Sequence, residues 1–232
     1  MKYFIIGDVH GCYDELQELL DRAALSSDDH IICIGDMVDR GPKSAEALNF
    51  FRATPNARSI QGNHERKHVR SFRGQVEAAA SQIITRTQIG EADYAAAIDY
   101  MDRLPRYLEL PDAILVHAFW EPGVPLEQQR ETVLVGTMTG EEYLKSKGFW
   151  PWYEHYDGLK PLIVGHRDYS DGQMQPFIYQ DRVYAIDSRC VYGGSLTGLL
   201  LPDFKLISVP SQGDHWNALM RQYADIISVY EE

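Results

Sequence analysis

Acidic, imidazole and amide side chains recur in this chain at one kind of place, directly after a short apolar run that ends in glycine. Gly7-Asp8-Val9-His10-Gly11 follows residues 2–6, Gly35-Asp36-Met37-Val38-Asp39-Arg40-Gly41 follows residues 30–34, and Gly62-Asn63-His64-Glu65 follows residues 59–61. The three motifs stand about 27 residues apart. Further on, His117 follows Ile114-Leu115-Val116, and Gly165-His166 follows Leu162-Ile163-Val164. Asp8, His10, Asp36, Asn63, His117 and His166 make a mixed nitrogen and oxygen donor set. Such a set suits manganese, iron or zinc better than a soft-metal or cluster site. A carboxylate can bridge two cations, and two cations roughly 3.5–4 Å apart clamp the attacking and leaving oxygens of an in-line displacement. Taken singly, a Gly-Asp pair is usually only a turn, and a histidine at a strand end is usually hydrogen-bonded structure. Six such residues at matching positions point instead to a metal site.

Those positions require a particular scaffold. The apolar runs read as buried strands, and residues 14–25, 44–51 and the stretch from His64 read as helices between them. Alternating strands and helices imply a mainly parallel sheet, whose carboxyl-end loops converge on one crevice. Glycine ahead of each donor lets the backbone turn sharply and come close. Residues 75–104 are alanine-rich and helical in character, with an interruption near Gly90. Beyond Pro105 the reading turns to strands, at 107–110, 114–116, 162–164, 177–179, 183–186, 196–201 and 205–209, several separated by turn residues. The tail, 216–230, places Trp216, Leu219, Met220, Tyr223, Ile227 and Tyr230 on one helical face. With no repeat or linker, residues 1–232 read as a single α/β domain carrying a helical insertion at about 75–104.

Composition sets the outer bounds. A hydrophobic fraction of 44% and a charged fraction of 24% are those of an ordinary globular protein. No run of about eighteen apolar residues occurs, so no membrane partner is expected, and Asp8 comes too soon for a signal peptide. Cys12, Cys33 and Cys190 form no CxxC pair and are odd in number, which favours reduced thiols and a cytoplasmic location. A formal charge of -12 argues against a broad nucleic-acid-binding surface. It is compatible with a phosphorylated substrate, because bound cations reverse the local sign.

GDVHG, GDMVDRG and GNHE, with the later VHA, GH and Asp187-Ser188-Arg189-Cys190-Val191-Tyr192-Gly193-Gly194, resemble the signature of the calcineurin-like metallophosphoesterases, specifically the phosphoprotein phosphatase branch. The resemblance spans roughly residues 1–201. Bacterial members of that kind include lambda-type protein phosphatases, symmetrical diadenosine tetraphosphatases and the phosphatase module of polynucleotide kinase-phosphatases. It implies two mixed β-sheets packed as a sandwich flanked by helices. It implies that Asp8 and His10 hold one metal, that Asp36 bridges, and that Asn63, His117 and His166 hold the other. His64 then protonates the leaving oxygen, oriented by Asp39, and Arg40 binds phosphoryl oxygens. A neighbouring carboxylate favours a proton-donating imidazolium, and a planar guanidinium suits phosphate. The implied reaction is hydrolysis of a phosphate monoester or phosphoanhydride by in-line attack of a metal-bridging water. The substrate is a phosphoprotein, a dinucleoside polyphosphate, or a nucleotide or polynucleotide end, and no obligate protein partner is evident. The alternative is a catalytically silent metal-binding protein of the same fold that binds a nucleotide or protein partner.

The chain also departs from that signature. Residues 149–155 contain no counterpart of the second phosphate-binding arginine found in protein-phosphatase relatives; Arg130 lies far upstream, and Arg167 is either a substitute or an ordinary loop residue. His117 is followed by Ala118-Phe119-Trp120 rather than glycines. The aromatic residues near Trp120 and at 150–156 could stack on a base or pack a core. Arg66, Lys67, Arg70 and Arg73 could guide a polyanion or form a solvated helix face. Cys12 reads as an inert small residue beside the first motif.

Overall fold

A computed structural model describes residues 1–230 of the chain. The first half winds as expected, through β1 (Tyr3–Ile6), α1 (Tyr13–Ala23), β2 (His30–Cys33), α2 (Ser44–Ala53), β3 (Ala57–Ser59) and α3 (Asn63–Phe72). β1, β2 and β3 are parallel. β9 (Ser195–Leu201) and β10 (Lys205–Pro210) return antiparallel on the other side of β1, giving the order β10-β9-β1-β2-β3. The second sheet contains β4 (Tyr107–Glu109), β5 (Ile114–Val116), β6 (Leu162–Val164), β7 (Phe177–Tyr179) and β8 (Val183–Ala185), in the order β4-β5-β6-β8-β7. Within it β5, β6 and β8 are parallel. Each mixed five-stranded sheet therefore supplies three parallel strands, β1, β2 and β3 in the first and β5, β6 and β8 in the second.

The period-two alternation of each strand builds the layers. Ile5, Ile32 and Ile34 of the first sheet meet Leu115, Ile163 and Tyr184 of the second in a shared inner core. Phe4, Ile6, Ile31 and Cys33 point the other way and pack with Leu16 and Leu19 of α1 and Ala47, Leu48 and Phe51 of α2. Val116, Leu162 and Val164 face the outer core of the second sheet. Strands apolar on both faces are what a sheet covered on both sides demands.

The insertion is two helices, α4 (Ala80–Ile89) and α5 (Glu91–Asp102), broken at Gly90 with φ 84°. Three details differ from the sequence reading. β3 lies at Ala57–Ser59 instead of residues 59–61, because its pairing with β2 ends at Cys33↔Ser59. α6 (Glu131–Leu134) and α7 (Met138–Ser146) arise in a stretch whose sequence carried no assignment; Thr137 caps α7 by accepting a hydrogen bond from Gly140 N. The tail is two helices, α8 (His215–Gln222) and α9 (Ala224–Tyr230), divided at Tyr223. Its apolar face nevertheless forms: Leu219 and Ile227 bury against Ile84 of α4, with Trp216, Met220 and Tyr223 alongside. The Tyr230 side chain lies outside the described residues.

Candidate metal centre and active site

The donor-bearing loops fold into a conformation that side chains avoid. His10, Asp36, Asp39, Arg40 and His166 all have positive φ, between 46° and 74°, each costing about 1 kcal/mol or more. Interlocked loops impose it. His10 N and Gly11 N donate to Asp36 O and Met37 O at 2.8 Å each. The buried Glu65 carboxylate accepts from the amides of Asp36 (2.9 Å), Met37 (2.8 Å) and Gly62 (2.9 Å), tying the second motif to the third. A Cβ on Gly62 would fall 2.2 Å from Asp36 Oδ1, and one on Gly165 would fall 2.1 Å from Asp8 Oδ1, so both carboxylates are seated on bare backbone. Removing the Glu65 carboxylate strands three buried donors. At the low end of about 1–3 kcal/mol per donor, Glu65→Ala loses about 3 kcal/mol, which in a chain of this size lowers Tm by roughly 6–12 °C. Calorimetry on the metal-free protein checks this, and an unchanged Tm would remove Glu65 from the framework.

Two groups of donors meet at Asp36: His10, Asp36 and His64, and Asp36, His117 and His166, with donor atoms within 4.8 Å of one another in each. His10 Nε2 and His117 Nε2 lie 3.7 and 3.4 Å from Asp36 Oδ2. Each ring is held from behind, His10 Nδ1 donating to Val38 O at 3.0 Å and His117 Nδ1 to Ile34 O at 2.8 Å, so both present Nε2 to the crevice. Asn63 Oδ1 sits 3.0 Å from His117 Nε2 and 2.9 Å from His166 Nδ1. Asp8 stands at the edge of the cluster, its oxygens accepting from the His166 amide at 3.0 and 3.1 Å.

The electrostatics fit divalent cations. Burial, then the neighbouring Asp187, pushes the Asp8 carboxyl well up, and burial raises Asp187 too. Burial alone depresses His117, but the Asp36 and Asp8 charges outweigh it and push the ring up to about 10, an imidazolium where a cation belongs. Burial and then the Arg40 guanidinium push His10 down to about 3; burial and then His117 hold His166 well below the usual range. Neutral imidazoles at His10 and His166 beside clustered carboxylates are the donor chemistry of a metal site, and a bound cation would take the place of the His117 proton.

Beside this cluster, His64 Nδ1 donates to Asp39 Oδ2 at 2.6 Å. Asp39 is fully buried and heavily solvated by protein: His68 Nε2 (2.8 Å) and Thr85 Oγ1 (2.7 Å) bond Oδ1, while Ser81 Oγ (3.2 Å) and Gln82 Nε2 bond Oδ2. Burial by itself raises the Asp39 carboxyl, but His68 and His64 override it and hold it well below the usual carboxylate range. Ser81, Gln82 and Thr85 belong to α4, so the insertion clamps the carboxylate that orients His64. Sequence reasoning missed these supports. His68 had a legible signal, standing four residues after His64 on the same helical face. Asp187 had one as well, being an acid directly after an apolar strand, like Asp8 and Asp36.

The surrounding side chains decide the open alternatives. Trp152 and Trp120 are buried in the outer core, their indole N–H groups donating to Tyr169 Oη (2.9 Å) and Asp157 Oδ1 (2.7 Å). Phe119 packs between that cluster and the His166 ring, 5.3 Å away between centroids. This cluster is packing behind a donor rather than a platform for a base. Arg167 is engaged by Glu141 Oε2 at 2.6 Å. A different arginine pair borders the centre: Arg40 and Arg189 approach one Tyr192 ring at 5.8 and 4.1 Å. Cys12 is buried, and burial pushes its thiol well up, as does Cys190 beside it, so it is inert.

Residues 1–168 match the calcineurin-like phosphoesterase family, and the chain belongs to that family. It is thereby a metal-dependent phosphoesterase, a phosphoric ester hydrolase that uses divalent metal ions. It is 30% identical to the asymmetrical bis(5'-nucleosyl)-tetraphosphatase PrpE of Bacillus velezensis, covering 91% of this chain and 93% of that one. It is 27% identical to the symmetrical bis(5'-nucleosyl)-tetraphosphatase of Shewanella baltica, covering 97% of this chain and 87% of that one. A solved protein proposed to be a diadenosine tetraphosphatase superposes with a TM-score of 0.75 at 26% identity, over 90% of this chain and 93% of that one. Among the described residues no helix is long and apolar enough to cross a membrane.

Proposed function

We propose that this chain hydrolyses dinucleoside polyphosphates, with two divalent cations, manganese first, held by Asp8, His10, Asp36, Asn63, His117 and His166. The observation that carries the substrate class is a cavity of about 550 Å³ that opens directly off Asn63 and His166 and is lined by Arg66, Lys67 and Arg70 of α3. That space admits a nucleotide, and its cations match a polyphosphate. The names of the relatives at near full length support the same class.

Bound cations would supply Lewis-acid activation of water and of the phosphoryl group. The rest falls to side chains. Arg40 holds phosphoryl oxygens as charge develops on them. His64 Nε2 gives its proton to the leaving oxygen, and Asp39 fixes the ring through Nδ1. The aromatic residues at Trp120 and Trp152 pack the outer core and lend the nucleotide reading no support, which rests instead on the basic cavity.

The test is product analysis with manganese-loaded protein on diadenosine tetraphosphate, a phosphopeptide, an aryl monoester and RNA with a 3′-phosphate. Preference for diadenosine tetraphosphate, giving two ADP or AMP with ATP, is the expected result. Preference for the phosphopeptide or the RNA end overturns the substrate class. Two bound metals with no turnover of anything would mark a binding protein.

A further inference from the structure

Two cavities meet at the metal centre and share Asn63 and Lys67 as their boundary. The larger, about 550 Å³, has Asn63 and His166 at its inner end and Arg66, Lys67, Arg70 and Arg167 on its walls. The smaller, about 340 Å³, is lined by Arg40, His64, Lys67, Tyr192 and Trp216. His64 thus faces only one of them. We infer that the two cavities divide the substrate by chemical role: the 340 Å³ cavity takes the leaving nucleotide, and the 550 Å³ cavity takes the nucleotide that stays on the attacked phosphorus. This rests on the proposed substrate class and on His64 as proton donor.

The chemistry fixes the direction. Water adds its oxygen to phosphorus and releases a proton to solvent. The P–O bond to the leaving phosphate breaks, its electron pair stays on the leaving oxygen, and His64 Nε2 protonates that oxygen. The leaving group must therefore lie on the His64 side. The retained substituent must occupy other space next to the centre, and the larger cavity adjoins Asn63 and His166 without containing the proton donor.

The charges in the larger cavity are arranged for a retained polyphosphate. Arg66 is committed to Glu131 at 2.6 Å, and Arg167 to Glu141 at 2.6 Å. Lys67 and Arg70 form no ion pair among the described residues; Arg70 has only a 3.4 Å hydrogen bond to Gln75 Oε1. Two unneutralised cations side by side, in a chain of net charge -12, mark where an anion fits. Lys67 also borders the smaller cavity, whereas Arg70, which borders a third cavity beside Gln75, does not, so of these two cations Arg70 tells the retained side from the leaving side.

An aryl monophosphate lacks both nucleotides, so the comparison reads nucleotide contacts, and the absence of Arg70 from the smaller cavity assigns its effect to the retained side. Arg70→Ala and Arg70→Glu are compared with the holoenzyme on diadenosine tetraphosphate and an aryl phosphate, with equilibrium binding of a methylene-bridged diadenosine tetraphosphate as a readout independent of turnover. A lost charge-assisted contact of about 1.5 kcal/mol predicts that Arg70→Ala raises KM for the dinucleotide about tenfold more than KM for the aryl phosphate. Binding of the analogue weakens by the same factor, and Arg70→Glu goes further. Equal changes in both KM values, or unchanged analogue binding, would overturn the division of the cavities. A wild-type enzyme that neither cleaves diadenosine tetraphosphate nor binds its analogue would overturn the substrate class instead.

Discussion

His64→Ala is expected to lower turnover on the order of 10²–10⁴-fold while the metal content stays at the wild-type level. Both halves of that statement are needed. His64 stands with His10 and Asp36 among donors close enough to hold one ion, its Nε2 3.9 Å from Asp36 Oδ2. Geometry alone would therefore allow it to be a ligand. Its other nitrogen argues for the acid role, since Nδ1 is spent on Asp39, whose carboxylate His68 and the α4 side chains also hold in place. A ring so paired is held with Nε2 aimed into the crevice. The loss should also depend on the leaving group, being smaller for an aryl phosphate with a good leaving group than for a nucleotide. Elemental analysis beside steady-state kinetics separates the readings: a metal content that falls with turnover would make His64 a ligand.

The strand-end motifs were legible because each obeys a local rule. A buried parallel strand is a short apolar run, its exit needs a tight turn, and donors at successive exits converge whichever way the rest of the chain is wound. β1, β2, β5 and β6 were readable on that basis, and with them the positions of Asp8, Asp36, His117 and His166. What was not legible depends on partners distant in sequence. β3 carries the unremarkable Ala57-Arg58-Ser59, and only its pairing with Ile31 to Cys33 makes it a strand. The break at Tyr223 has no glycine or proline to announce it. The role of α4 could not be read at all, because Ser81, Gln82 and Thr85 are ordinary helix residues until the fold sets them against Asp39, more than forty positions earlier. The aromatic stretch at 150–156 stayed open for the same reason, since a tryptophan that packs and a tryptophan that stacks on a ligand look alike in sequence.

Asp36→Asn should have the largest effect on the centre, because Asp36 is the one residue common to both donor groups. The substitution is conservative in shape and keeps the Oδ1 that accepts the His64 amide at 3.0 Å, so the loops need not move. What it removes is the negative charge that His117, His64 and His10 are arranged around. The proposed bridging role therefore predicts a fall from two metals per chain to at most one. His10→Ala, which touches a single donor group, should cost one ion and leave the other. Losing a metal's stabilisation of transition-state charge, about 4 kcal/mol, lowers turnover about 10³-fold. Metal titration by calorimetry reads the two sites directly. If Asp36→Asn binds two ions as tightly as the wild type, Asp36 does not bridge. If His10→Ala keeps both ions or loses both, the two donor groups do not correspond to two metals, and the centre must be drawn again around Asp8 and Asp187.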